Sequence, residues 1–221
     1  MQIIILLYKG FTAMDVAGAY EILCRLPDAQ VTFAAKEAGV IESEYTSMKM
    51  VATHRFAEIE RADILFVPGS TFAFMQVAQD KELLQHIQRI DQSTTWTASV
   101  CTGAIILGAA GLLKGKEATT HWAVLDRLPQ FGAQPKPVRY VQDGKLLTAA
   151  GVSAGIDMAL YLASVIAGEA YAEMLQLVTE YYPEPPVNIP DLSAVSKKTE
   201  AGARDFLKAE ILKMSHSMAA V

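Results

Sequence analysis

The chain has 221 residues, of which 52% are hydrophobic and 19% charged, enough to bury a sizeable core as one large domain or two small ones. A net charge of −5 and an isoelectric point near 5.4 argue against nucleic-acid binding, which calls for a basic footprint. Two cysteines, Cys24 and Cys101, leave little room for a disulfide framework and point to a reducing compartment. The four histidines, His54, His86, His121 and His216, lack metal-ligand spacing.

The chain opens with MQIIILLYKGF, which has neither a basic leader nor a small-residue cleavage site and is too short to span a bilayer. Its core, residues 3–8, reads as the buried first strand of a cytoplasmic protein. TAMDVAGAYEILCRL follows at helical spacing, with Thr12 as its cap and Cys24 on the apolar side. Residues 29–36 form a second strand, and ADILFVPGS (62–70) a third, halted by Pro68 and Gly69. KELLQHIQRIDQ is an amphipathic helix, and TTWTASV is a strand that ends at Cys101. A helix over 102–113 comes next, and ATTHWAVLDRL begins another. VRYVQDGKLLTAA reads as a hairpin turning at Asp143-Gly144. SAGIDMALYLASVIAG is an apolar helix, 181–190 a proline-rich connection, and 197–214 a terminal amphipathic helix.

Alternating β and α segments imply a mostly parallel sheet covered by helices, in one domain over 1–221 with a core of about 1–180. Ligands bind such sheets beyond the carboxyl ends of the strands. Asp15, Gly69-Ser70 and Cys101 each follow a strand, so they are expected to converge on one edge.

At that edge Cys101 is the candidate nucleophile. It sits where a strand breaks into a helix, and Thr102, Gly103 and Ala104 are small enough for a strained elbow. Unpaired helix N–H groups there favour thiolate, although a free cysteine is often plain packing. Asp15, in an otherwise apolar stretch, is a candidate proton shuttle with a desolvated, raised pKa; alone, it would read as a helix-start acid. Gly69, Ser70, Gly103 and the N–H of Thr102 are candidates to hold developing negative charge through N–H groups unpaired by any ladder. By itself, VPGS would be a strand-terminating turn. His121 is the base of a Cys–His pair, a substrate-binding side chain or a satisfied structural histidine. Trp122 is core or pocket wall, Asp157 reads as structural, and Glu21 has no role.

SVCTGAIILGAAGLLKGKEATTHW, with MDVAGAYEIL and ILFVPGS upstream and AAGVSAGIDMAL downstream, resembles the ThiJ/PfpI family of the class I glutamine-amidotransferase-like superfamily. Within it the likeness is to the isonitrile hydratases, up to about EYYPEPP. The resemblance implies a flavodoxin-like three-layer α/β sandwich, a homodimer, a cysteine on a nucleophile elbow and no cofactor or metal. It implies hydration of isonitriles to N-substituted formamides. Cys101 thiolate attacks the isonitrile carbon, Asp15 protonates the adduct and activates water, and Thr102 with the Gly69-Ser70 turn holds the intermediate. Three features depart from related patterns: Gly69-Ser70 stands for the family's Gly-Gly, Ala149 and Ala150 stand in its glycine-rich segment, and Thr102 replaces the histidine of the peptidase-like branch. The rival reading is a ligand-binding or thiol-redox-sensing module related to the sensing half of AraC-type regulators. Against a full regulator stand the acidic charge and the lack of room for helix-turn-helix units after residue 214.

Overall fold

The computed structural model describes residues 1–187, 189 and 191–219, with side chains as far as Ser215. The last two residues of the domain expected over 1–221 and the side chain of His216 lie outside the described residues. The opening β-branched run forms β1 (Gln2–Leu6), buried on both faces after its first residue. Helix α1 (Ala13–Leu23) leads to β2 (Gln30–Ala35), parallel to β1. The Thr12 hydroxyl donates to Glu44 at 2.9 Å instead of capping α1.

An excursion follows that the sequence reading lacks: an antiparallel hairpin of β3 (Gly39–Glu42) and β4 (Lys49–Ala52), then β5 (His54–Arg55). Val40 and Val51 pair across the hairpin and both stay exposed, so no burial pattern marks it. Strand β6 (Ile64–Val67), helix α2 (Phe74–Val77) and helix α3 (Lys81–Asp91) come next. Asp80 caps α3 by accepting the N–H of Leu83 at 3.2 Å. Strand β7 (Trp96–Val100) runs into α4 (Gly103–Ala109), shorter than expected because Gly111 turns left-handed at φ +78°.

The helix expected over ATTHWAVLDRL is instead a short strand, β8 (Glu117–Ala118), followed by a 3₁₀ run over Trp122–Phe131. Side chains pin its start to the sheet: Thr148 Oγ1 accepts the N–H of Thr119, and Thr120 Oγ1 donates to the Cys101 carbonyl. Pro129 removes a donor further along. After β9 (Gln134–Pro135), strands β10 (Tyr140–Asp143) and β11 (Leu146–Ala149) form the expected hairpin, with Gly144 at φ +66°. Helices α5 (Ala154–Ala167), α6 (Glu169–Val178) and α7 (Lys197–Ala219) complete the described fold. The sequence reading ended its apolar helix at Gly168, resumed at residue 181 and lacks α6.

The central sheet runs β10-β11-β7-β6-β1-β2-β5, parallel except for the β10–β11 pair. Crossovers going outward from β1 in opposite directions put helices on both faces, given their usual right-handedness. Helices α1 and α5 pack together, as do α3 and α4, giving the expected three layers. At Gly18 a Cβ would stand 2.9 Å from Ile156, so glycine is what lets α1 and α5 approach. The chain passes from β1 to β2 on one side and to β6 on the other. The order therefore reverses between β1 and β6, and a crevice opens at their carboxyl ends. No helix among the described residues is long and apolar enough to cross a membrane.

Candidate active site

Cys101 leaves β7 with φ +56°, a left-handed conformation that costs a residue with a Cβ about 1–2 kcal/mol. Its N–H donates to the carbonyls of Ala149 (3.2 Å) and Ala150 (2.7 Å), and Thr120 holds its carbonyl at 2.7 Å. Backbone atoms of β11 thus fix the elbow, which makes the alanines at 149 and 150 compatible with it. Glycines permit its crowding. A Cβ on Gly103 would collide with the Val67 carbonyl, and one on Gly69 would lie 2.7 Å from Thr102 Oγ1. Neither glycine lines the pocket over the thiol; both were candidates for holding substrate, and both serve close packing.

Asp15, in the first turn of α1, is fully buried. Its Oδ2 accepts the N–H of Gly69 at 2.8 Å, while Oδ1 has no hydrogen-bond partner among the described residues. Burial raises its pKa from 3.8 to about 8, with a further upward push from the Glu44 carboxylate. The Gly69 N–H and the Cys101 thiol pull the other way. Asp15 therefore holds a proton at neutral pH. The Cys101 thiol is 5% exposed, and burial pushes it well above its usual value, helped by Asp15 and opposed by the N–H groups of Thr102 and Val152. This corrects the thiolate expected from the helix start: α4 has seven residues, and desolvation outweighs its N-terminal field.

The N–H groups of the Gly69-Ser70 turn are not free, contrary to the sequence reading. Gly69 donates to Asp15, and Ser70 donates to Thr102 Oγ1 at 2.8 Å, which in turn donates to the Ser70 carbonyl at 2.8 Å. Thr102 thus clamps the turn against the elbow. Ser70 Oγ accepts the N–H of Phe74 at 2.7 Å, and Tyr8, buried beneath, donates to the Pro68 carbonyl at 3.0 Å. The donors that face the sulfur are the N–H groups of Thr102 and Val152.

His121 lines the pocket, and burial lowers its pKa. Its Nδ1 accepts the N–H of Ala123 at 3.3 Å. That places the ring proton on Nε2 and leaves no lone pair to take one from Cys101. That speaks against the base role of His121. Asp157 pairs with Arg139, and Glu21 with Arg25, both away from the thiol. Cys24 is half-buried, and both cysteines are free. Among the described residues no group of three or more His, Cys, Asp or Glu side chains could hold a metal ion.

Above the thiol lies a cavity of about 350 Å³, at the small end of ligand pockets, which run to roughly 300–1,000 Å³. Its floor includes Cys101, Thr102 and Ser70, and one wall is apolar, with Phe74, Met75 and Val124. The opposite wall is α7, which presents Arg204, Leu207, Lys208 and Ile211 at helical spacing. Tyr45 donates to Glu210 at 2.9 Å, and the Arg204 guanidinium lies 4.7 Å from the centre of the Trp122 ring, so α7 is docked at both ends of this face. Glu44 was missed from the sequence. Its carboxylate accepts from the Thr12 hydroxyl and from the Thr71 N–H at 2.8 Å. Its loop follows the unpredicted β3 strand, and no local pattern marks it.

A thiol on a strained elbow at the switch point of this sheet defines a class, and the DJ-1/PfpI family pattern matches residues 1–164. The chain belongs to the DJ-1/PfpI family. It is 39% identical to the isonitrile hydratase of Pseudomonas putida over 206 residues, 92% of this chain and 90% of that protein. The crystal structure of a ThiJ/PfpI family protein from Pseudomonas syringae superposes with a TM-score of 0.90 at 34% identity, covering 100% of this chain and 90% of that one. The transcriptional regulator CdhR of Pseudomonas aeruginosa is 30% identical over 106 residues, 47% of this chain and 31% of the regulator.

Proposed function

We propose that the chain hydrates isonitriles, R–N≡C + H₂O → R–NH–CHO, through a thioimidate on Cys101. The observation that carries this reading is a fully buried carboxyl, Asp15, with a pKa raised by burial to about 8, beside an elbow thiol in a chain so similar to an isonitrile hydratase. The isonitrile carbon bears a lone pair. Asp15 gives it a proton, the carbon becomes electrophilic, and the Cys101 sulfur adds to it while the thiol proton returns to Asp15. The same carboxyl then protonates the imidate nitrogen, and the carboxylate so formed takes a proton from water as its oxygen adds to the carbon. The C–S bond breaks, sulfur recovers the hydroxyl proton, and R–NH–CHO leaves. The N–H groups of Thr102 and Val152 stabilise the charge that builds on sulfur in the first and last steps. A cytoplasmic, cofactor-free homodimer completes the proposal. Burial of the thiol, which pushes its pKa up, speaks against the redox-sensor reading.

Formamide formation from one small aliphatic and one aromatic isonitrile tests the reading. The wild type turns over; Cys101→Ala loses at least about 10³-fold. Formamide from neither substrate overturns it. Because Asp15 acts with its proton on, the rate holds at lower pH and falls as pH rises through about 8. Glu44→Gln removes a charge that raises Asp15, so the alkaline limb moves to lower pH, by under about one pH unit, in the same rate profile.

A further inference from the structure

The charges around the pocket mouth do not match those of the chain. The chain carries 24 acidic and 19 basic side chains, yet the ionised groups lining the cavity over Cys101 are Arg127, Arg204 and Lys208 against Glu44 alone. Asp15, beneath, is neutral at pH 7. Glu44 is turned to Thr12 and Thr71, which occupy both of its oxygens. Arg204 is satisfied by Glu200 at 2.8 Å and by the Trp122 ring. Lys208 pairs with Asp205, but both are more than 70% exposed, so water screens the pair and it holds Lys208 weakly. Arg127 has no hydrogen-bond or ion-pair partner among the described residues. These last two cations come from different elements, the Trp122–Phe131 run and α7, and both line the one cavity.

We propose that the isonitrile substrate carries a carboxylate on its R group, bound at the pocket mouth by Arg127 and Lys208. The arrangement suits such a molecule along its length. The isonitrile end reaches the neutral Asp15–Cys101 pair, the carbon chain lies on the apolar wall of Phe74, Met75 and Val124, and the anion meets a guanidinium able to hold both oxygens. The proposal takes the reacting end from the hydration reading, while the anion site stands on its own charges.

The test pairs isocyanoacetate and 4-isocyanobutanoate with their neutral primary amides, which match them in size. For at least one chain length the wild type prefers the acid by about tenfold or more in kcat/KM, expressed in KM, and added salt erodes the preference. Arg127→Gln combined with Lys208→Gln abolishes the preference, so that acid and amide are turned over with equal kcat/KM. Equal kcat/KM for acid and amide at both lengths overturns the anion site while leaving hydration intact. If none of the four substrates is hydrated, calorimetric titration with N-formylglycine and N-formylglycinamide decides. Tighter binding of the acid by about tenfold, lost in the double variant, sustains the anion site without hydration, whereas equal binding, or none by either, overturns it.

Discussion

Asp15→Asn is expected to yield a protein that is more stable than the wild type above pH 8 and almost without hydratase activity. The folded carboxyl holds its proton up to about pH 8, whereas in the unfolded chain it ionises near 3.8. A group with a raised folded pKa contributes stability that is complete below about pH 4 and is lost as pH climbs to 8, because the folded state then binds the extra proton. Across that window the loss is on the order of 6 kcal/mol, since each pH unit is worth about 1.4 kcal/mol. Asparagine is uncharged at every pH and its Oδ1 can still accept the Gly69 N–H, so the variant keeps the turn and sheds the burden. It cannot pass a proton, and kcat/KM falls by about 10²–10⁴. Thermal melts of both proteins from pH 5 to 9 check the first half: the wild-type curve slopes down and the variant's slopes less. Parallel curves would mean that Asp15 is solvated and its pKa ordinary.

Gly103→Ala is expected to be the most damaging single-methyl change in the elbow. The added carbon would overlap the Val67 carbonyl and come to 3.0 Å from that of Pro68, both backbone atoms at the end of β6. Neither can swing aside as a side chain would, so the start of α4 must move and carry Cys101 with it. We expect a loss of about 3 kcal/mol or more, which for a domain of this size lowers Tm by roughly 6–12 °C, together with loss of turnover. Gly115→Ala is the control. Unlike Gly103 it has positive φ, +73°, but nothing lies within 4 Å of the new carbon. Its cost is the conformational one alone, about 1 kcal/mol. Equal melting temperatures for the two variants would contradict the packing of the elbow against β6.

These expectations rest on features of unequal visibility in the sequence. Strands buried on both faces announce themselves as continuous apolar runs, so β1, β6 and β7 were legible, and with them the convergence of Asp15, Gly69-Ser70 and Cys101 on one edge. What those groups do there was less legible, because it depends on partners supplied by other segments. Hydrogen bonds from the Gly69 and Ser70 N–H groups go to Asp15, 54 residues away, and to Thr102, 32 residues away. Ionisation of the thiol turns on burial by the whole fold, against which a seven-residue helix weighs little. Elements with exposed apolar residues escaped notice for the converse reason: β3 and β4 leave Val40 and Val51 in solvent, and α6 leaves Met174, Leu177 and Val178 there. The extended start of the segment after residue 117 was hidden because its threonines answer to the sheet rather than to a helix.

The pocket is built from two parts of the chain. Cys101, Thr102 and Asp15 stand within the stretch that matches the family, residues 1–164, whereas the wall supplied by Arg204, Leu207, Lys208 and Ile211 comes from beyond it. None of those four side chains props up the elbow, which β6 and β11 hold in place from below. Changes along one face of a single helix can therefore reshape what the cavity admits while the reacting groups stay as they are. Part of what shapes the cavity is thereby separable along the chain from the groups that react, with α7 as the part that carries it.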